Sequence, residues 1–210
     1  MKRFLLITLS IIFSCPSFAQ QKEERSAFVP TLELSGGPRF AVYPKGEAHA
    51  KPLLMYQSGA LLGVEMRQVH GVFFLNAGVL FENYRYTWGE VQHINASFID
   101  LPLHFGYRYC FNDKFSASAS VGLSFVYCYH YRNNGFEIVG KDMDYNHLKG
   151  VSVELSAEYA FSDQISLCAN VLANNYFRQT LWVKYDCNYN SIALPTFINV
   201  LLGVKYRPRF

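Results

Sequence analysis

The sequence lacks a long apolar run beyond its first residues. Half of its 210 residues are hydrophobic, yet no later stretch holds as many as 18 consecutive apolar residues. A helix that crosses a bilayer needs a run of about that length. The chain therefore contains no transmembrane helix, and its apolar residues must serve another structure.

The familiar signatures of catalysis are also absent. The chain has no GxSxG, HExxH, phosphate-loop or paired CxxC motif, and these are the spacings that position nucleophiles, metals and phosphates. Its formal net charge is only +3, without a basic patch, which argues against nucleic-acid binding. We therefore predict that the protein is not an enzyme and has no catalytic residue, cofactor or metal.

The first residues are typical of a secretory signal peptide. Lys2 and Arg3 precede a short apolar run, and small residues follow up to Ala19, as a signal peptidase requires. We predict cleavage of residues 1–19. An uncleaved anchor and a lipoprotein signal with Cys15 as the lipidated residue are the alternatives. Residues 20–27 form a polar lead, and residues 28–210 are predicted to form one domain.

That domain shows a recurring alternation of apolar and polar residues. In "FIDLPLHFGYRYCF" (98–111) every second residue is apolar, whereas the other set includes an acid, a histidine and an arginine. The eight runs with this pattern cover about 28–42, 54–67, 71–87, 98–111, 114–131, 149–161, 165–178 and 198 to the end. These runs are much longer than the roughly 5 or 6 residues of an average strand, and strands of about 9 to 11 residues suffice to cross a bilayer. The first run is the least regular, since Gly36-Gly37-Pro38 interrupts it.

The connections alternate between tight turns and long polar loops. The tight turns are 68–71, 111–114 and 161–164, and the long loops are about 43–53, 88–96, 132–148 and 179–195. This asymmetry is typical of outer-membrane barrels. We predict an all-β fold: an eight-stranded antiparallel up-and-down transmembrane β-barrel in the outer membrane of a Gram-negative cell, with both termini periplasmic.

Aromatic residues gather toward the predicted strand ends, as in the two girdles of a membrane barrel. The girdle toward the short turns is predicted to contain Tyr107, Tyr109, Phe111, Tyr159, Phe161 and Tyr206. The girdle toward the long loops is predicted to contain Tyr84, Tyr86, Trp88, Tyr127, Tyr129, Tyr176 and Trp182.

The polar face of the strands must line the barrel interior, because lipid offers no partner for charge. Its predicted members are Glu65, Arg67, Glu82, Asp100, His104, Arg108, Glu154, Glu158, Lys205 and Arg207. With eight strands the lumen is about filled by side chains. We predict a polar bore closed by a structural network of these residues. An ion path or an acid–base site is the alternative.

Four cysteines follow the predicted signal. Cys110 and Cys168 lie on predicted strands too far apart for a bridge. Cys128 and Cys187 lie toward the long loops, in a compartment that permits disulfides, and we predict a candidate disulfide between them.

The segments "FIDLPLHFGYRY" (98–109) and "LLGVKYRPRF" (201–210), together with the signal, resemble the PorT-like outer-membrane β-barrel family of Bacteroidetes. The resemblance implies a small barrel without a catalytic motif, inserted by the barrel-assembly machinery, which would recognise terminal Phe210. It also implies a link to protein secretion, the process in which the founding member is implicated.

We therefore predict a structural or interaction role for the protein in outer-membrane lipid, with surface loops and a partner in a secretion or envelope complex. A narrow, porin-like pore for small solutes or ions is the first alternative. A lipid-modifying envelope enzyme is the second.

Overall fold

The computed structural model describes residues 28–42, 50–52, 55–68, 71–88, 92–133, 136–139, 147–177, 180–185, 188–193 and 195–208. The predicted signal peptide and polar lead lie outside these residues. The described strands are β1 (Phe28–Val42), β2 (Ala50–Pro52), β3 (Met55–Gln68), β4 (Gly71–Trp88), β5 (Gln92–Cys110), β6 (Phe115–Asn133), β7 (Phe136–Val139), β8 (His147–Ala160), β9 (Ile165–Tyr176), β10 (Thr180–Tyr185), β11 (Asn188–Ala193) and β12 (Thr196–Tyr206).

Eight of these strands close into a ring, and each one runs antiparallel to its two neighbours. The order around the ring is β1, β3, β4, β5, β6, β8, β9 and β12, and β12 pairs with β1 to complete it. Closure pairs the backbone of every strand and leaves no edge to be satisfied by water. The predicted eight-stranded antiparallel barrel is confirmed.

The Gly-Gly-Pro segment does not interrupt the first strand. β1 pairs with β3 without a break from Phe28 to Arg39. At Gly37, a Cβ atom would lie only 2.0 Å from the carbonyl oxygen of Val200 on β12. A residue without a side chain thus permits the close approach of β1 and β12 that closes the barrel.

Side chains alternate between the two faces as the sequence predicts. On β5, Leu101, Leu103 and Phe105 are 48%, 42% and 55% exposed, whereas Asp100 and His104, on the alternate positions, are each 1% exposed. The apolar set faces outward and the polar set faces the interior, which is the reverse of a water-soluble protein.

Two tight turns at one end of the barrel lie wholly within the described residues. In residues 111–114 the Asn112 side-chain oxygen accepts hydrogen bonds from the N–H groups of Lys114 and Phe115, at 2.9 and 2.8 Å. In residues 161–164 the Ser162 hydroxyl oxygen accepts a hydrogen bond from the Ile165 N–H at 3.1 Å. Asn and Ser favour such turns because their side chains bond to nearby backbone groups. The described chain starts and ends at this short-turn end.

The barrel wall is taller on one side. β4, β5 and β6 contain 18, 19 and 19 residues, whereas β12 contains 11. β5 starts at Gln92, so most of the predicted loop at 88–96 is strand, and β2 and β7 pair with the upper ends of β4 and β6. β10 and β11 form a separate hairpin. Within the described ranges, no helix is long and apolar enough to cross a membrane.

Candidate functional site in the barrel interior

A charge network fills the interior near the short turns. It consists of three acids and three bases on β1, β3, β5, β8 and β12 and just after β12: Glu33, Glu65, Arg108, Glu158, Lys205 and Arg207. Arg108 forms a bidentate pair with Glu65, in which both N–O distances are 2.7 Å, and contacts Glu158 at 3.0 Å. Arg207 reaches the same two acids, at 3.0 Å and 2.6 Å. Two arginines thus hold two carboxylates in a closed cluster.

Lys205 extends the network around the interior. Its ammonium group lies 3.1 Å from a carboxylate oxygen of Glu33 and 3.5 Å from one of Glu158. The other oxygen of Glu33 accepts a hydrogen bond from Asn170 Nδ2 at 2.7 Å, and Asn170 Oδ1 accepts one from Ser156 at 2.6 Å. Equal numbers of acids and bases make the network formally neutral, as a buried cluster requires.

A second group of polar contacts lies higher in the barrel, around Arg39. Arg39 forms an ion pair with Glu82 and donates a hydrogen bond to the Tyr176 hydroxyl at 3.0 Å. Gln57 donates to Glu82 at 2.8 Å, and the Arg39 guanidinium lies 3.7 Å from the centre of the Phe197 ring. One arginine therefore contacts groups from β4, β9 and β12, across the interior.

His104 forms a third polar group in the middle of the interior. Its Nε2 atom lies 2.7 Å from Ser152 Oγ, and its Nδ1 atom lies 3.2 Å from a Glu154 carboxylate oxygen. His104 reaches across β6 because Gly122 lies between it and Ser152 in the strand register. A Cβ atom at Gly122 would lie 2.1 Å from the imidazole ring.

The order serine, histidine, carboxylate is that of a hydrolase triad, but His104 Nδ1 makes no hydrogen bond to Glu154, so only the Ser152–His104 contact is formed. Here Ser152 and His104 are only 2% and 1% exposed. Asp100 lies near Glu82 and Arg39 of the second group, and one of its carboxyl oxygens accepts a hydrogen bond from Ser124 at 2.6 Å.

An apolar plug fills the interior toward the long loops. Its buried members are Met55, Tyr84, Ile94, Ala96, Phe98, Val126, Cys128, Tyr131, Leu148, Tyr176 and Phe197. The Tyr84 and Phe197 rings meet edge to face at a centroid distance of 5.3 Å, and Tyr176 and Phe197 meet at 5.9 Å. Such pairs are favourable beyond their buried area. The prediction of a polar bore is therefore wrong for this half.

The plug also corrects the predicted aromatic girdle. Tyr84 is fully buried and Tyr176 is 4% exposed, so neither faces lipid. Both follow the alternation of their own strands, since Tyr84 shares its face with Glu82 on β4. The outward-facing Tyr127 and Tyr129 are exposed as predicted, and the side chains of Tyr86, Trp88 and Trp182 lie outside the described residues.

Two further predicted site residues need correction. Arg67 has the alternation of an inward residue but is exposed, because β3 ends at Gln68 and leaves its side chain at the rim. Cys128 carries a free thiol buried in the plug, which bonds to the His130 carbonyl oxygen at 3.5 Å. The free thiol of Cys128 argues against the predicted disulfide with Cys187, which lies outside the described residues.

Two charged residues of the interior are missing from the sequence prediction. Glu33 and Arg39 are 3% and 2% exposed and both belong to β1, whose pattern looks interrupted in the sequence. The alternation of β1 could have predicted that both side chains face the interior, because both are on the same odd-numbered face as Thr31, which is also buried.

The outer surface consists of large apolar side chains. Examples, one from each of the eight ring strands, are Leu34, Leu62, Leu75, Phe105, Val121, Leu155, Val171 and Leu202, all exposed. Soluble monomers rarely expose contiguous apolar surface on this scale. The outer surface therefore suits lipid hydrocarbon rather than water.

Comparison with solved structures identifies the same fold in small outer-membrane barrels. A major outer membrane protein from Thermus thermophilus matches with a TM-score of 0.53 and 13% identity over 85% of this chain and 99% of that chain. Neisserial surface protein A matches with a TM-score of 0.50 and 11% identity over 87% of this chain and 98% of that chain. No protein-family model matches the chain, and no curated protein matches it in sequence. The PorT-like resemblance thus stays a prediction.

Proposed function

We propose that the protein is a sealed outer-membrane β-barrel with a structural or interaction role, which anchors its long loops at the cell surface. In this proposal the short-turn end and both termini face the periplasm, as in barrels with short periplasmic turns. The apolar outer surface and the shared fold support the membrane setting.

The observation that carries the proposal is the filled interior. The charge network occupies the short-turn half, and the apolar plug occupies the half toward the long loops. Each base of the charge network contacts at least one carboxylate in the same cluster. An ion would have to displace both layers, which argues against the narrow pore.

Planar-bilayer recording of the purified mature protein tests the seal. We expect no steady conductance above that of protein-free bilayers, with an open porin as the positive control. Steady unitary currents from a correctly folded sample would contradict the sealed barrel. A chain that stayed folded and monomeric in plain buffer would contradict the membrane setting as well.

The interaction role follows from the loops and from the PorT-like resemblance, which suggests a partner in a secretion or envelope complex. Crosslinking in intact cells, followed by affinity purification through a tag inserted in the polar lead at residues 20–27, tests this and leaves terminal Phe210 free. We expect the same envelope protein in repeated captures and its loss when residues 140–146 are replaced by a Gly/Ser segment. A capture profile unchanged by the replacement would contradict a partner at that loop.

The contact between Ser152 Oγ and His104 Nε2, with Glu154 on the other side of the ring, favours acyl hydrolysis as a second candidate function. Its weakness is access, since Ser152 lies within the closed interior. A fluorophosphonate probe applied to the folded barrel tests it, with Ser152→Ala as the control. Covalent label on Ser152 would support this candidate, and an unlabelled serine would overturn it.

A further inference from the structure

The outward face of the tall wall is apolar over four successive rows and then changes abruptly. Reading across β4, β5 and β6 toward the long loops, the last apolar row contains Phe81, Ile99 and Tyr127, which are partners in the strand register. Phe81 and Tyr127 are 50% and 39% exposed. The three rows before it contain Leu75, Phe105, Val121, Ala77, Leu103, Leu123, Val79, Leu101 and Phe125.

After outward-facing Tyr129, an extra residue of β6 at the register shift, the next two rows are polar and basic. The first contains Asn83, Ser97 and His130, and the second contains Arg85, Asn95 and Arg132, again as partners in the register. Both arginines are exposed. They lie on either side of Asn95, so their backbones are two strand spacings apart, or about 10 Å.

The basic patch, defined here as Arg85, Asn95, His130 and Arg132, has little negative charge around it among the side chains that the structure describes. Among the described side chains, neither arginine has an ion-pair partner, and the acid nearest to Arg85 in sequence, Glu82, lies inside the barrel. The register adds Lys51 and His93 one row further on, both paired with Thr87, and one acid, Glu137 on β7, opposite Arg132. Among the residues that the strand register places in these rows, bases therefore outnumber acids.

We propose that this basic patch binds the phosphate groups of anionic lipid headgroups in the outer leaflet. The inference rests on the proposed function, because it requires apolar rows in hydrocarbon. When the four apolar rows lie among the acyl chains of the bilayer, the two polar rows beyond them lie at the depth of the lipid headgroups. There, an arginine matches a phosphate in both charge and shape.

The position of the patch favours a lipid over a soluble anion. Arg85 and Arg132 continue the outward, lipid-facing surface rather than the barrel mouth. An anion bound there would have acyl chains directly beneath it, on Phe81 and Tyr127. A lipid satisfies both surfaces with one molecule, whereas a free phosphate satisfies only one.

A lipid titration in detergent tests the inference. Purified barrel is titrated with bisphosphorylated lipid A and, separately, with chemically dephosphorylated lipid A, and bound lipid is counted by native mass spectrometry. We expect tighter binding of the phosphorylated lipid. We also expect Arg85→Gln with Arg132→Gln to weaken that binding about 10- to 30-fold, since each basic residue near an anionic surface contributes a several-fold effect, and to leave the dephosphorylated lipid unaffected.

Two variants serve as controls. Arg67→Gln removes an exposed arginine at the opposite end and should leave the affinity unchanged. Glu137→Gln removes the acid opposite Arg132 and should tighten binding several-fold. Inorganic pyrophosphate at equal phosphate concentration should compete poorly, and strong competition would overturn the choice of a lipid in favour of a soluble anion.

The failure of this inference is distinguishable from failure of the proposed function. Each variant is first checked for heat-modifiable gel mobility, which reports a folded barrel, and for insertion into phosphatidylcholine vesicles. If a folded, inserted double variant binds both lipids as the parent does, the headgroup site is wrong and the membrane barrel stands. If the parent itself does not insert, the proposed function fails.

Discussion

The two halves of the barrel interior exclude water by different physical means. Near the short turns, carboxylates and bases compensate one another, and each group depends on partners from distant strands. Toward the long loops, aromatic and aliphatic side chains pack as in the core of a soluble protein. Both arise from the same inward-facing alternation, so alternation determines which side chains are inside, whereas the identity of each residue determines how the space is filled.

The difference predicts how each half responds to damage. A buried ion pair that loses one member leaves an uncompensated charge, whereas a packed cluster that loses a ring leaves a cavity. Conservative replacements should distinguish the plug from the charge network by their effect on stability. The plug depends on side-chain shape, whereas the network depends on both charge and geometry.

The largest effect is expected at Arg108. Arg108→Met removes the bidentate partner of Glu65 and a contact of Glu158, and should lower the free energy of unfolding by about 3 to 5 kcal/mol. Urea unfolding in phospholipid vesicles, followed by tryptophan fluorescence, measures it. The exposed Arg67→Met should change stability by less than about 0.5 kcal/mol. Equal losses for both would mean that the network does not stabilise the barrel.

The plug should respond more mildly to a conservative change. Phe197→Ala removes a ring packed against Tyr84, Tyr176 and Arg39 and should cost about 3 kcal/mol, whereas Phe197→Leu should cost about 1 kcal/mol. The matched change in the network, Arg108→Lys, keeps the charge but loses the planar fork and should cost about 2 kcal/mol. The same unfolding measurement applies. If Phe197→Leu lowers the free energy of unfolding as much as Phe197→Ala does, apolar packing is not what stabilises the plug.

Most of the fold could be predicted from the sequence, because a barrel wall is a local pattern repeated. Strand alternation at 98–109 and 115–129 places each side chain without any knowledge of its neighbours, whereas the register shift beside Ser97 reverses the faces of His130 and Tyr131. The turn at 111–114 is likewise local, since Asn112 bonds to residues two and three positions later.

What the sequence prediction missed depends on more than one strand. The bonds of Arg39 reach β4 and β9, and no local pattern indicates that reach. The height of Tyr84 and Tyr176 in the wall suggests a girdle, although their alternation places them inside. The prediction for Arg67 failed for a geometric reason. An inward-facing residue is buried only when the neighbouring strands extend beyond it.

A smaller effect is expected where the two halves meet. Tyr176→Phe keeps the ring in the plug but removes the hydroxyl that accepts from Arg39 and donates to Glu82 at 3.3 Å. Two polar partners lose one hydrogen bond each, so a loss of about 1 to 2 kcal/mol is expected. Unfolding midpoints in vesicles measure it, with the outward-facing Tyr127→Phe as the unchanged control. An unchanged Tyr176→Phe variant would show that the ring alone matters.

The mildest test leaves the sequence unchanged and compares the two halves of the interior by the reactivity of their cysteine thiols. Cys110 is exposed, whereas Cys168 lies beside the charge network and Cys128 lies in the plug. A maleimide needs a thiolate and physical access, so only Cys110 of these three should react in the folded barrel, and all three should react in urea. Peptide mapping by mass spectrometry identifies the labelled sites. Label on Cys128 but not on Cys168 would mean that the apolar plug admits the reagent more readily than the charge network does. That result would contradict the expectation that both halves of the interior exclude the reagent.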